Sequence, residues 1–287
     1  MHRSGTSALT RALGLLGAEM GLVDDLGKHW ENKHLRNVNT RLLDAAGGAW
    51  DAPPSGSKIE RASGDGLPEL AGERIRHVFG SADVAVWKDP RTCLTLPFWL
   101  PLIGDDPVVV LIHRHPYEVA RSLETRNRFG FGHSFALWER YNADALQSAA
   151  GLPTTVLKYT DVVNRPHEVM TELVKHLRDC GVDLPNDPAM TDMEFEASAR
   201  HHVSASDDVL DHPVATESQR ALFDVLASLD GPQARFQPPA EFQPAHPLSD
   251  ELMRAAGKLR RVRRRHHQAS AGSDAGRRRR KNPAPTT

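Results

Sequence analysis

Three short groups of residues carry most of the polar chemistry in this chain. The first is His2-Arg3-Ser4-Gly5-Thr6-Ser7, directly ahead of a helix-like apolar repeat. A glycine flanked by hydroxyl residues lets backbone N–H groups close around an anion at the positive end of a helix, and an arginine adds a fixed cation with paired donors. The group reads as a phosphate cradle; taken alone, it reads equally as a helix N-cap. It lacks the G-x-x-x-x-G-K-[ST] lysine and spacing of nucleoside triphosphatases. The second group joins Arg114, which leaves the end of the apolar run 108–112, to Ser122, two turns into the next helix. Open α/β sheets bind ligands at the carboxyl ends of their strands, so one phosphate can meet both residues. An arginine pairing with any nearby carboxylate is the plain alternative. In the third group, residues 156–163, a strand delivers Tyr159 to the same edge and Asp161 can cap the next segment. Core packing is the alternative for the tyrosine.

Other chemistries find less support. There are 15 histidines, yet no H-E-x-x-H occurs, and the adjacent pairs His201-His202 and His266-His267 aim their rings in different directions. No metal is expected. No G-x-S-x-G is present either, so Ser4 is not a hydrolase nucleophile.

The elements that must hold these groups alternate between helix and strand. Residues 7–16 read as a helix, with Leu9, Leu13 and Leu16 on one face, and 35–46 as another, stopped by Gly47-Gly48. A loop rich in Pro, Gly and Ser covers 53–66; a helix over 68–79 and a short strand over 84–87 come next. The run 108–112 is β-branched and apolar on both faces, as a buried parallel strand should be. Pro116 opens a helix to about Arg128, where its missing N–H costs nothing. Residues 135–149 read as helix, 154–158 as strand, 166–180 as helix, and 217–229 as the one clear helix after Asp183. This rhythm predicts an α/β domain with a parallel sheet.

Length and charge bound the organisation. The chain has 287 residues, 39% hydrophobic and 25% charged, enough for one large or two modest domains and unlike a disordered or disulfide-stapled chain. Cys93 and Cys180 stand alone, which fits a reducing cytoplasm. The most apolar stretch, 94–103, is too short for a membrane span and holds Pro97 and Pro101, and the opening residues lack the pattern of a signal peptide. From Lys258 onward there are eleven Lys and Arg against Asp274 alone, a balance of +10; with a total of −1, the rest of the chain carries −11. Such a tail cannot bury enough surface to offset its chain entropy. The expected division is an α/β domain over 1–235, a Pro-rich linker with a short helix over 236–257, and a disordered basic tail over 258–287. The tail is either a solvated segment contacting the acidic body or an electrostatic tether to an anionic polymer or membrane surface, with no specific nucleic acid expected.

Taken together, in this order and at these spacings, the three groups resemble the sulfotransferase family that uses 3′-phosphoadenosine 5′-phosphosulfate (PAPS). In that family a [KR]-S-G-T loop holds the 5′-phosphosulfate, an Arg and a Ser eight positions later hold the 3′-phosphate, and a Y-E-D-like strand end contacts the adenine. Arg114 and Ser122 are eight apart. Residues 2–13, Trp30-Glu31-Asn32, Trp87-Lys88-Asp89-Pro90-Arg91 and 136–142 are also similar to the bacterial group of the family, and the likeness covers about 1–180. It implies a P-loop NTPase-like parallel sheet flanked by helices. It further implies that Arg3, Ser4, Gly5, Thr6, Ser7, Arg114, Ser122 and Tyr159 bind PAPS as co-substrate, with no metal.

The sequence departs from the small-molecule members of that family. Ala8 stands where they carry a tryptophan under the adenine, and Pro90 where they carry a catalytic histidine. The resemblance to the arginine-bearing members therefore implies a glutamate base, Glu31, with Asp25, His29 and Asp89 as fallbacks. Lys88 and Arg3 would hold the transferring sulfuryl group, and Arg200 would stand in for a guanidinium segment near the end. The expected acceptor is a hydroxyl of a small molecule, carbohydrate or glycolipid, met by residues 23–39 and 130–134. A sulfuryl group carries less charge than a phosphoryl group, so fixed cations can replace a divalent metal. The alternatives are a non-catalytic nucleotide- or polyanion-binding protein and a phosphotransferase on the same fold. The location expected is cytoplasmic, with peripheral contact at a membrane as the variant. Because the cradle begins at residue 2, the central strand that precedes it in the family has no room. The resemblance thus predicts an absent first strand and a gap beside 108–112.

Overall fold

The computed structural model describes residues 1–21, 29–64, 66–104, 107–188, 212–239 and 248–262. Its centre is a three-stranded sheet in the order β1 (Val109–His113), β2 (Thr154–Lys158), β3 (Gly231–Gln233). β1 and β2 are parallel, with Ile112 opposite Leu157 and His113 opposite Lys158; β3 runs antiparallel to β2. The protein is α/β as expected, but the described sheet is small and mixed rather than wholly parallel.

Helices cover both faces of the sheet. On one face α1 (Thr6–Leu15) and α9 (Pro166–Asp179) bury Leu9, Leu13, Met170, Leu173 and Leu177 against Ile112 and Leu157. On the other, α7 (Phe131–Ser148) packs Trp138, Tyr141 and Leu146 over Val156, joined by residues of α2 (Lys33–Ala45), α6 (Pro116–Asn127) and α10 (Glu217–Ser228). The crossover from β1 to β2 is α6 and α7. The short α3 (Gly56–Arg61) forms inside the stretch expected to be loop, and α4 (Leu67–Phe79) comes after it. α5 (Thr92–Ile103) was not expected to be helical. It holds Pro97 and Pro101 at exposed positions while Leu94, Leu96 and Trp99 are buried. α8 (Tyr159–Asn164) continues directly from β2. The expected strand over 84–87 is reduced to a single parallel bridge between Glu19 and Ala85. A last helix, α11, spans 248–262 and so runs into the segment expected to be disordered. It is pinned by Glu139, a buried carboxylate of α7 that accepts hydrogen bonds from Ser218, Gln219 and Ser249. Residues 263–287, the bulk of the expected tail, lie outside the described residues.

β1 is neighboured by β2 alone among the described strands, so the run expected to be fully buried is an edge in this sheet, with Val109, Val110 and Leu111 only half-buried. At its end, His113 is buried without a hydrogen bond at either ring nitrogen. Burial, aided by Lys158 and opposed by Asp230, lowers its pKa from the usual 6.5 to about 4. A histidine kept neutral in the folded state favours unfolding as pH falls below 6.5, because the unfolded chain binds the proton first. His113 alone should therefore cost about 2 kcal/mol of stability between pH 7 and pH 5. Urea unfolding at the two pH values should show that loss, and His113→Leu, which strands no partner, should flatten it by a similar amount.

Candidate functional site

The parallel register fixes the geometry of the site. With His113 opposite Lys158, the next residues, Arg114 and Tyr159, leave the same sheet edge side by side. The Arg114 guanidinium lies over the Tyr159 ring, 4.2 Å from its centroid. The ring edge meets Gly5, where a Cβ would stand 2.5 Å from Tyr159 Cδ2. Gly5 also has φ +87°, a left-handed conformation that starts α1, so glycine is required there twice over. Arg114 further donates to the Arg3 carbonyl at 3.4 Å and, through Nε, to Glu118 at 2.6 Å. Arg3 in turn donates from Nε to Ser122 Oγ at 2.7 Å. Residues 3, 5, 114, 122 and 159, separate in sequence, thus form one constellation around the N-terminus of α1. The first-turn amides of that helix have no carbonyl partner four residues back.

One face of α6 serves as a rail for this cluster. Glu118, Ser122 and Arg126 succeed one another at steps of four, and each meets a different site residue: Arg114, Arg3 and His29. Arg126 Nη2 donates to His29 Nε2 at 3.0 Å.

A second cluster adjoins the cradle through Ser7. Lys88 Nζ donates to Ser7 Oγ at 3.2 Å, to the His29 carbonyl at 2.5 Å and to Glu31 Oε1 at 3.2 Å. Glu31 Oε2 also faces Arg91 at 3.6 Å and Arg36 at 3.9 Å, so three cations share this buried carboxylate. Arg91 is held by Asp89, whose other oxygen accepts from Asn39, itself bonded to Thr95 and Trp99 in the core. Asp89 is therefore a bracket for Arg91, with both oxygens engaged. Backbone strain falls here too. Among the described residues only three non-glycine positions have positive φ, and two are Arg3 (66°) and Trp30 (51°), the latter directly before Glu31.

The electrostatic balance of the cluster is positive. Lys88, Arg91 and Arg114 have carboxylate partners; among the described residues no carboxylate lies within 4.0 Å of Arg3 or Arg126. Burial, then Arg126 and Arg114, lower the pKa of Arg3. Burial, then Arg91, the N-terminal ammonium, Lys88 and Arg126, hold His2 well below the usual histidine range, so its ring is neutral. Ser4 Oγ and His2 Nε2 are buried without hydrogen-bond partners. Cations, hydroxyls and helix amides gathered at one helix N-terminus suit an anion with more than one charged group. Among the described residues no group of three or more His, Cys, Asp or Glu is placed to hold a metal ion.

The structure brings Arg3, Ser4, Gly5, Thr6, Ser7, Arg114, Ser122 and Tyr159 to the start of α1, and Glu31 and Lys88 to the adjoining cluster. The sequence reading misses Arg126 and Arg91. Arg126 was detectable as the next step of four after Ser122; Arg91 stands in the Trp87–Arg91 segment but carries no spacing signal of its own. In the sequence His2 is only part of the loop; in the structure its ring packs on Trp50, 4.8 Å between centroids, and Trp50 stacks on Phe129. An aromatic wall therefore borders the cradle. The candidates Asp25 and Arg200 lie outside the described residues, as do 22–28 of the segment expected to meet the acceptor.

Gly5→Ala tests the constellation. It should force Tyr159 and Arg114 out of place and destabilise the protein by about 1–3 kcal/mol in urea unfolding. Gly132→Ala, in α7 where a Cβ meets nothing within 4 Å, should be neutral or stabilise slightly. Comparison with protein-family models, with curated proteins and with solved structures gives no match for this chain.

Proposed function

We propose that this chain is a sulfotransferase that moves a sulfuryl group from PAPS to an acceptor hydroxyl, on a P-loop NTPase-like framework. The observation that carries the reading is the meeting of Arg3, Ser122, Arg114, Tyr159 and Gly5 at one helix N-terminus. PAPS has a phosphosulfate at one end and a phosphate at the other. The constellation offers a separate donor set for each: the first turn of α1 with Arg3, Ser7 and Lys88, and the Arg114–Ser122 pair.

In this reading Arg114 and Ser122 grip the 3′-phosphate. The α1 amides, Arg3 and Lys88 stabilise the sulfuryl oxygens as negative charge shifts to the leaving group. The bond from sulfur to the bridging oxygen of the 5′-phosphate breaks with its electron pair remaining on that oxygen. The acceptor oxygen bonds to sulfur, and its proton passes to Glu31. The second product is adenosine 3′,5′-bisphosphate. Fixed guanidinium and ammonium groups do the work that a divalent metal performs in phosphoryl transfer. The aromatic wall of His2, Trp50 and Phe129 suits the ring of a sugar or other cyclic acceptor. A cytoplasmic location accords with the two separate thiols. The three cations around Glu31 favour one second reading, a binding protein for the same nucleotide in which Glu31 only neutralises the pocket.

Two measurements separate these readings. Isothermal titration should show binding of adenosine 3′,5′-bisphosphate in preference to ATP. Arg114→Ala alone would also break the buried ion pair with Glu118, so the informative variant is Arg114→Ala with Glu118→Gln, and it should bind at least about tenfold more weakly. Unchanged affinity would remove the 3′-phosphate assignment. Glu31→Gln should keep nucleotide binding while lowering transfer from PAPS, monitored by mass spectrometry of products from a cell extract, by about 10²–10⁴. Near-normal turnover would take the base role from Glu31, and binding with no transfer by the native chain would favour the second reading.

A further inference from the structure

Six large hydrophobic side chains are exposed among the described residues, and four of them stand on α11: Leu248 (45% exposed), Leu252 (36%), Leu259 (62%) and Val262 (51%). With Ala255, also exposed, they recur at steps of four, three, four and three, a single stripe along the helix. The opposite side of α11 is the docked one. Ser249 bonds to Glu139, Met253 is buried in the larger core, Gly257 faces Ala52, and Arg260 pairs with Asp51 at 2.5 Å. The helix thus satisfies its own core with one side and turns a continuous apolar stripe outward, where an ordinary surface helix carries polar residues.

A second stripe runs beside the first. Arg254, Lys258 and Arg261, all exposed, recur at steps of four and three, and the sequence continues with Arg263, Arg264 and Arg265. We propose that this face is a docking surface for an anionic lipid bilayer, with Leu248, Leu252, Leu259 and Val262 entering the acyl boundary and the basic stripe at the headgroup phosphates. Charge complementarity selects this occupant. A second copy of α11 packed on the stripe would set the two basic rows against each other along a seam of about two heptads. A nucleic acid would use the cations and leave the leucines in water. An anionic interface takes both stripes at once. It also orients the molecule, because the chain before Lys258 carries −11 and is repelled by the same surface. The inference stands independently of the sulfuryl-transfer assignment.

The test is sedimentation of the full chain with phosphatidylcholine vesicles, with and without phosphatidylglycerol, at low and high salt. Binding should require phosphatidylglycerol and weaken as salt rises. Leu259→Ser with Val262→Ser alters side chains that are already more than half exposed, so folding, checked by circular dichroism, should persist. That variant should bind at least about tenfold more weakly, about 1.4 kcal/mol, although every basic residue remains. Four results would overturn the proposal. They are no binding to the anionic vesicles, equal binding by the serine variant, a Leu259-dependent dimer in light scattering without vesicle binding, and tight binding of a DNA duplex probe in place of vesicles.

Discussion

The candidate site depends on one close approach, that of the Tyr159 ring to the Cα of Gly5. Any side chain at position 5 would hold the ring away, and Arg114, whose guanidinium lies over that ring, would move with it. The approach is possible only because β1 and β2 end in register, so that the residues after His113 and Lys158 emerge together. It also requires a left-handed turn at the start of α1, which glycine alone adopts without strain. Sheet register, loop conformation and helix start are therefore constraints on one another. The fold converts them into a fixed position for a cation at the mouth of a helix.

Gathering Arg3, Lys88, Arg91, Arg114 and Arg126 around one space is costly, and the protein offsets most of that cost with buried carboxylates. Glu118 answers Arg114, Asp89 answers Arg91, and Glu31 is shared by Lys88, Arg91 and Arg36. These acids are themselves braced, Asp89 through Asn39 to the core residues Thr95 and Trp99. The positive charge that no carboxylate answers among the described residues, on Arg3 and Arg126, sits beside the amides of α1. A cluster so arranged is preorganised for an anion, since its donors need not be ordered when the ligand arrives. The pH response of the same region comes from burial: His2 and His113 are both kept neutral, so acid weakens the fold beside the site.

Much of this was legible in the residues. The apolar run 108–112, the strand signal over 154–158, the eight-residue step from Arg114 to Ser122 and the glycine in a hydroxyl-rich loop each carry a local signal with a physical reason. What escaped sequence reading is what depends on distant neighbours. Pro97 and Pro101 argue against a helix at α5, and only the burial of Trp99 and Leu94 makes one. Glu139 carries no signal of its own in the sequence, yet it is buried and ties α10 and α11 to α7. The valines near residue 85 suggest a strand, but their partner at Glu19 is too brief for more than one bridge. Arg126 looks like any helical arginine until α6 is seen to place it a turn beyond Ser122.

The most direct measurement is a crystal structure of the full chain with adenosine 3′,5′-bisphosphate. The 3′-phosphate should accept hydrogen bonds from Arg114 and Ser122, and the 5′-phosphate should lie against the first turn of α1 within reach of Lys88. A nucleotide bound elsewhere, or one whose phosphates leave Arg3, Arg114 and Ser122 untouched, would contradict the assignment of this constellation as the donor site.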